Sequence, residues 1–210
     1  MPATALSAIE ARILGVLAEK EKTVPDTYPL SLNALVSGCN QKTSRDPVME
    51  VSEAEALEAI DALKSSHFII ESSGSRVTRY GHNIARALSL PTPAVALLVT
   101  LILRGPQTVA ELRANSERLY RFVDASSVEA FLDELAQRAE APLVVLLPRA
   151  PGAREVRWAH LLCGEPQLPA ASRSSQASED SGLAERVAQL EQQVAALHET
   201  VARLLAQSAT

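Results

Sequence analysis

Apolar positions along the first 164 residues follow two periods. A period near 3.6 predicts helices, and short apolar runs bounded by Gly, Ser and Pro predict strands. Ile9, Ile13, Leu14 and Leu17 form a helical stripe behind Ser7-Ala8-Ile9-Glu10. That tetrad is a capping box, in which hydroxyl and carboxylate each satisfy an orphan backbone N–H. Glu19 to Lys22 reads as the solvated end of this helix. Pro25 and Pro29 interrupt the chain, and the residue before Pro29, Tyr28, is expected to be extended. Leu30 to Gly38 predicts a shorter second helix, with Leu32, Leu35 and Val36 inward and Gly38 as its stop. Asn40 to Met49 is polar and irregular, with a bend at Asp46-Pro47. Ser52-Glu53-Ala54-Glu55 is a second capping box and opens a third helix, whose inward face is Ala56, Ile60 and Leu63. Phe68 to Ile70 is a strand, Ser72 to Ser75 a turn, and Arg76 to Tyr80 a returning strand.

After Leu90 the pattern restarts. Thr92-Pro93 reads as an N-cap followed by proline at the first helical position, and Val95, Leu98, Val99 and Ile102 continue that helix to a stop at Gly105-Pro106. Thr108-Val109-Ala110-Glu111 is a third capping box, and Ser126-Ser127-Val128-Glu129 a fourth. Val128, Leu132 and Leu135 follow Ala56, Ile60 and Leu63 at a constant offset of 72 residues. Leu143 to Leu147 predicts a strand, Pro148 to Gly152 a loop, and Arg154 to His160 the return. The order helix, helix, helix, strand, strand thus occurs twice. Three short helices bury their stripes against one another while a hairpin covers the open side. The expected fold is mainly α with small β-hairpins: two tandem winged helix-turn-helix domains, 1–90 and 91–164.

Beyond Gly164 the character changes. Residues 165–182 are rich in Pro, Ser and Ala without apolar period, which predicts a flexible linker. Residues 183–207 predict an amphipathic, coiled-coil helix. Leu183, Leu190, Leu197 and Leu204 share one heptad position, and Val187, Val194 and Val201 the other. Valine at a with leucine at d favours a parallel two-stranded coil, so these seven residues are the candidate contacts of a homodimer. The same stripe also fits one helix lying on its own domains.

Composition narrows the function classes. The formal charge is −5, and only residues 67–90, with three cations to one carboxylate, carry a positive excess. Nothing global draws the chain to nucleic acid. Aromatics are 3%, which leaves little for stacking on unpaired bases. The two cysteines, Cys39 and Cys163, lie far apart without ligand spacing, which argues for reduced thiols rather than a disulfide framework or zinc site. No basic-then-apolar leader opens the sequence, and the apolar run Leu97–Leu103 is far shorter than a bilayer span. A cytoplasmic protein without membrane contact is expected.

Tyr28-Pro29-Leu30-Ser31-Leu32-Asn33 and the run Cys39-Asn40-Gln41-Lys42-Thr43-Ser44-Arg45-Asp46-Pro47-Val48-Met49 are closely similar to the signature of the YceH family of uncharacterised bacterial proteins. The resemblance extends from about Leu6 to Gly164. It implies two winged-helix domains, in agreement with the repeat, and carries over no catalytic or ligand residues.

The candidate contact residues follow from charge. In a winged helix the third helix commonly enters the major groove, but here it carries Glu53, Glu55, Glu58 and Asp61, and its counterpart Glu129, Asp133 and Glu134. Phosphates repel carboxylates, and each phosphate contact needs a cation. The cations lie elsewhere: Lys42 and Arg45 before the third helix, Arg76 and Arg79 on the first hairpin, and Arg149, Arg154 and Arg157 on the second. With Asn40 and Gln41 these are the candidate contacts to duplex DNA or a partner, and the expected function is a non-enzymatic winged-helix DNA-binding regulator that touches duplex through its wings and the 40–46 loop. Two readings compete. Arginines on hairpin faces also solvate strand edges, and the Asn40–Asp46 run has the side chains to tie down its own loop. The alternative function is a protein-interaction scaffold in which the acidic third helices dock on a basic partner without DNA. Catalysis is not expected: His67, His82, His160 and His198 are scattered, and no nucleophile, metal or phosphate-loop spacing occurs. No cofactor is expected. Cys39 reads as a small core residue.

Overall fold

The first helix, α1 (Ala8–Thr23), begins at Ser7, whose side chain accepts from the Glu10 N–H while the Glu10 carboxylate accepts from the Ser7 N–H. The computed structural model describes residues 5–72, 77–149, 152 and 154–166. The hairpin tip with Arg76 and all seven heptad positions from Leu183 to Leu204 lie outside the described residues. Among those described, a 3-10 turn (Pro25–Thr27) leads to β1 (Leu30–Ser31) and α2 (Leu32–Cys39). An irregular segment then reaches α3 (Glu53–Ser65), β2 (Ile69–Ser72), β3 (Arg79–His82) and a short α4 (Ile84–Ala87). The second half holds α5 (Thr92–Arg104), α6 (Val109–Asn115), α7 (Ala125–Ala136), β4 (Val144–Leu146) and β5 (Trp158–His160). The chain is mainly helical with small antiparallel sheets.

The repeated order helix, helix, helix, hairpin is present in both halves, and the equivalent inward residues are all buried: Ala56, Ile60 and Leu63 on α3, Val128, Leu132 and Leu135 on α7. The capping boxes at Ser52 and Thr108 form as expected. The fourth lies earlier than expected. Asp124, in extended conformation, accepts from the Ser127 N–H at 2.8 Å, so α7 starts at Ala125 and Ser126 lies inside its first turn. An aspartate caps as well as a serine and adds a charge favourable to the helix N-terminus. Thr92 likewise is the first helical residue rather than the cap, with Pro91 at the cap position. Gly38 is not the stop of α2; the helix continues to Cys39, and Gly38 lies against Val16 of α1.

The first sheet has three strands in the order β1-β3-β2, with Leu30 opposite Tyr80 and Ile69 opposite His82. The second pairs β4 with β5, and Gln107, the residue before the α6 cap, bridges to Trp158. Each half therefore adds the segment before its second helix to the returning strand. Both returning strands start later than the apolar alternation predicts, at Arg79 and Trp158.

The halves are not separated by a gap. α1 packs on α5. Val99 and Leu103 of α5 belong to the core that α1, α2 and α3 build, while Ala11 of α1 joins the core of the second half. The Leu6 N–H donates to the Leu162 carbonyl at 2.7 Å. The described residues fall within one compact unit, Met1–Pro166. No helix among them is long and apolar enough to cross a membrane.

Candidate functional site

The Asn40–Met49 segment has no regular structure of its own and is held by two buried arginines. Arg12 of α1, 2% exposed, donates to the carbonyls of Cys39 (3.2 Å) and Pro47 (2.6 Å), bracketing the segment at both ends. Arg45, 5% exposed, places every guanidinium N–H on the protein. Nε donates to the Gly38 carbonyl, one terminal nitrogen to Glu19 and the Ser44 carbonyl, the other to Glu19 at 2.6 Å and to Gln41 at 2.9 Å. Burial pushes the Glu19 carboxyl up, but the hydrogen bonds and charge of Arg45, helped by Lys20, outweigh it and hold the group below the ordinary carboxylate range. Asn40 imitates a strand partner: its amide donates to the Val51 carbonyl (2.8 Å) and accepts from the Val51 N–H (2.7 Å). The Asp46 N–H donates to the Leu103 carbonyl at the end of α5, so the segment is seated on both halves.

The candidate contacts thus divide. Arg45, Asn40 and Gln41 hold the loop, and Arg45 has no donor left for an external anion. Arg79 donates to the carbonyls of Thr27 (3.2 Å) and Pro29 (2.8 Å). Arg157 donates to the Pro106 carbonyl (2.8 Å) and grips Glu111 through both terminal nitrogens at 2.8 and 2.9 Å. The two arginines perform one task in the two halves: each anchors the proline two residues before the cap of the second helix to the returning strand. The repeat Pro29-Leu30-Ser31 and Pro106-Gln107-Thr108 is the sequence trace of that device. Lys42, Arg149 and Arg154 stand exposed, with no hydrogen bond or ion pair to another described residue.

Lys42 lies on the rim of a cleft that the sequence gives no hint of. Its volume is about 440 Å³, and it opens between the 41–44 loop, the C-terminal ends of α1 and α5, and the segment after α6. Four cations from four segments line it: Lys20, Lys42, Arg104 and Arg118. The one carboxylate in the lining is Glu19, which Arg45 already neutralises. Arg104 donates to the Ser44 hydroxyl at 2.8 Å and fixes the loop against α5. Asn115 donates to Gln107, which in turn donates to the Thr100 carbonyl, giving that wall a fixed hydrogen-bond pattern. Lys20, Arg104 and Arg118 escaped the sequence reading because charges at helix ends ordinarily mark solvated turns.

The outer faces of the third helices carry the opposite sign. Glu53, Glu55, Glu58 and Asp61 of α3 are exposed, as are Glu129, Asp133 and Glu134 of α7. Lys64, the cation of α3, pairs with Asp61 and Glu71. The cysteines do not form a reactive centre: Cys39 is wholly buried, and burial pushes its thiol up to about 12. The histidines among the described residues are equally dispersed. His82 receives the Ile84 N–H at Nδ1, with Nε2 3.4 Å from Glu21, and its pKa is lowered by burial; His160 is in the other sheet.

The chain belongs to the family described as "Protein of unknown function, DUF480", which matches residues 6–153. It is 65% identical over 177 residues to a "UPF0502 protein" of Leptothrix cholodnii, covering 84% of this chain and 79% of the relative. It is 55% identical over 210 residues to a "UPF0502 protein" of an Acidovorax strain, covering 96% and 93%. A Burkholderia ambifaria relative of the same description is 66% identical over 160 residues, covering 76% and 67%.

Proposed function

We propose that the chain is a cytoplasmic, non-catalytic binding protein of two tandem winged helix-turn-helix modules, and that the outer faces of α3 and α7 dock a basic protein surface. The pairing added before the second helix in each half, β1 in the first and the Gln107–Trp158 bridge in the second, supports the winged-helix reading, since it closes the hairpin onto the helices the same way twice. The observation that carries the docking reading is the charge of the exposed third helices: seven carboxylates, with no exposed Arg or Asn row to read base edges. Duplex DNA laid on these faces would meet like charge, and Arg45, Arg79 and Arg157 are already taken up by the protein itself. The same proposal makes the protein a homodimer through the Leu183–Leu204 heptads.

The test is fluorescence anisotropy with a labelled lysine-rich peptide and, in parallel, a labelled random duplex, each over a salt series. The peptide is expected to bind at low salt and weaken as salt rises, and to be lost in a variant carrying Glu53→Lys, Glu58→Lys and Glu129→Lys. Duplex binding with a steep salt slope, removed by Lys42→Glu and Arg154→Glu, together with no peptide binding, would replace this reading by the DNA-binding one. For self-association, sedimentation is expected to give a monomer for a chain ended at Gly164 and a dimer for the full chain; the same number of copies in both excludes the coiled-coil dimer.

A further inference from the structure

The cleft beside the 41–44 loop is not used by the docking proposal, and its chemistry points to a different ligand. We infer that it binds a small phosphate-bearing anion, of the size of a pyrophosphate or a nucleotide. Lys20, Lys42, Arg104 and Arg118 converge on one cavity of about 440 Å³ from four separate stretches of chain. In a protein of net charge −5 such a gathering is not a sample of the surface average. The single carboxylate present, Glu19, has both oxygens on buried Arg45, at 2.6 and 3.2 Å, and stands 3.4 Å from Lys20, so Lys42, Arg104 and Arg118 are the cations it leaves uncompensated. Like charges crowded in a concave site repel one another, and a bound anion relieves that repulsion while the walls limit screening by solvent. Lys42 and Arg118 are exposed and without a partner among the described residues, which leaves their donors for a ligand. Arg104 offers its remaining N–H groups beside the Ser44 hydroxyl.

Size decides between the sources of phosphate. The volume is within the range of small-molecule pockets, ~300–1,000 Å³, and holds a few phosphate groups with a small organic body. A duplex presents its phosphates on a convex surface and cannot enter a cleft of this kind between two packed helix ends. The site is built on rigid parts: the loop is clamped by Arg12 and Arg45 beneath it and by the Asp46 N–H on the Leu103 carbonyl.

Isothermal titration calorimetry of the full chain with inorganic pyrophosphate, at low salt, tests the inference. Saturable binding with one site per chain is expected, weakened by about tenfold or more in a Lys42→Glu, Arg118→Glu double variant, equivalent to about 1.4 kcal/mol. Both residues are exposed, so the fold is expected to survive; unchanged thermal unfolding of the variant checks it. Arg149→Glu with Arg154→Glu removes the same charge from exposed positions that do not line the cleft, and is expected to leave binding within about twofold. The inference is overturned by absence of saturable heat, by equal weakening in both double variants, or by a random duplex that binds at the same residues while pyrophosphate does not. Peptide binding by α3 and α7 is unaffected by any of these outcomes, so the two proposals stand or fall separately.

Discussion

Gly15 of α1 faces Leu103 of α5 so closely that a Cβ on Gly15 would stand 2.9 Å from Leu103 Cδ2, and equally close to Ile102 Cγ2. Carbon pairs settle at about 3.5–4.0 Å. The backbone of α1 therefore rests directly on the side chains of α5, and the junction of the two halves is a packed interior rather than a wet interface.

Gly15→Val is expected to destabilise the whole unit by about 1–3 kcal/mol, the ordinary range for overpacking a filled core. Urea unfolding measures it. Because the helices share cores, one cooperative transition should shift as a whole; two separated transitions would contradict the shared interior.

Glu19→Gln removes the charge that compensates Arg45, whose side chain is fully buried. Leaving such a cation without its partner costs on the order of 3 kcal/mol. The same variant should loosen the 41–44 loop, seen as faster amide exchange there than in α7. A double variant with Arg45→Met restores part of the loss if the pair is as isolated from water as the geometry implies; no restoration would place the effect elsewhere.

Asp124→Ala is expected to cost about 1 kcal/mol through loss of the α7 cap, whereas Ser126→Ala should change stability by no more than about 0.5 kcal/mol. Equal costs, or the reverse order, would return the helix start to Ser126.

Burial pushes the His160 imidazole down to about 4 from its ordinary value near 6.5, and its Nδ1 is buried without a hydrogen-bond partner. The unfolded chain therefore takes up a proton in the window between the two values while the folded chain does not. Stability rises with pH across that window and is lost as pH falls through it, by up to about 2 kcal/mol between pH 7 and pH 5. His82, also lowered, first by burial and despite Glu21, acts with the same sign. Urea midpoints across this range should drop as the pH is lowered, and His160→Gln should flatten the drop; a profile unchanged by the substitution would remove His160 as its source.

Local signals carried much of this structure. Ser7, Ser52 and Thr108 each open the helix that their neighbours' spacing demands, because a cap and an apolar period are properties of adjacent residues. The cap of α7 is Asp124 rather than Ser126, because an apolar stripe fixes the start of a helix only to within a turn. β1 was hidden because Leu30 and Ser31 read equally as the start of α2; only their pairing with Tyr80 and Arg79, about fifty residues on, makes them a strand. The site was less legible. Arg45 sits in a polar run and looks like a free cation until Glu19, 26 residues upstream, is brought against it. The cleft draws on four stretches of chain, and no window of sequence contains it.

The exchange of Val99, Leu103 and Ala11 between the two cores has a consequence during synthesis. A nascent chain that has released only its first ninety residues from the ribosome lacks side chains that its first interior requires. That half stays incomplete until α5 emerges, and the second half closes only when Leu162 reaches Leu6. Both halves are therefore expected to mature together, late in translation, rather than one after the other.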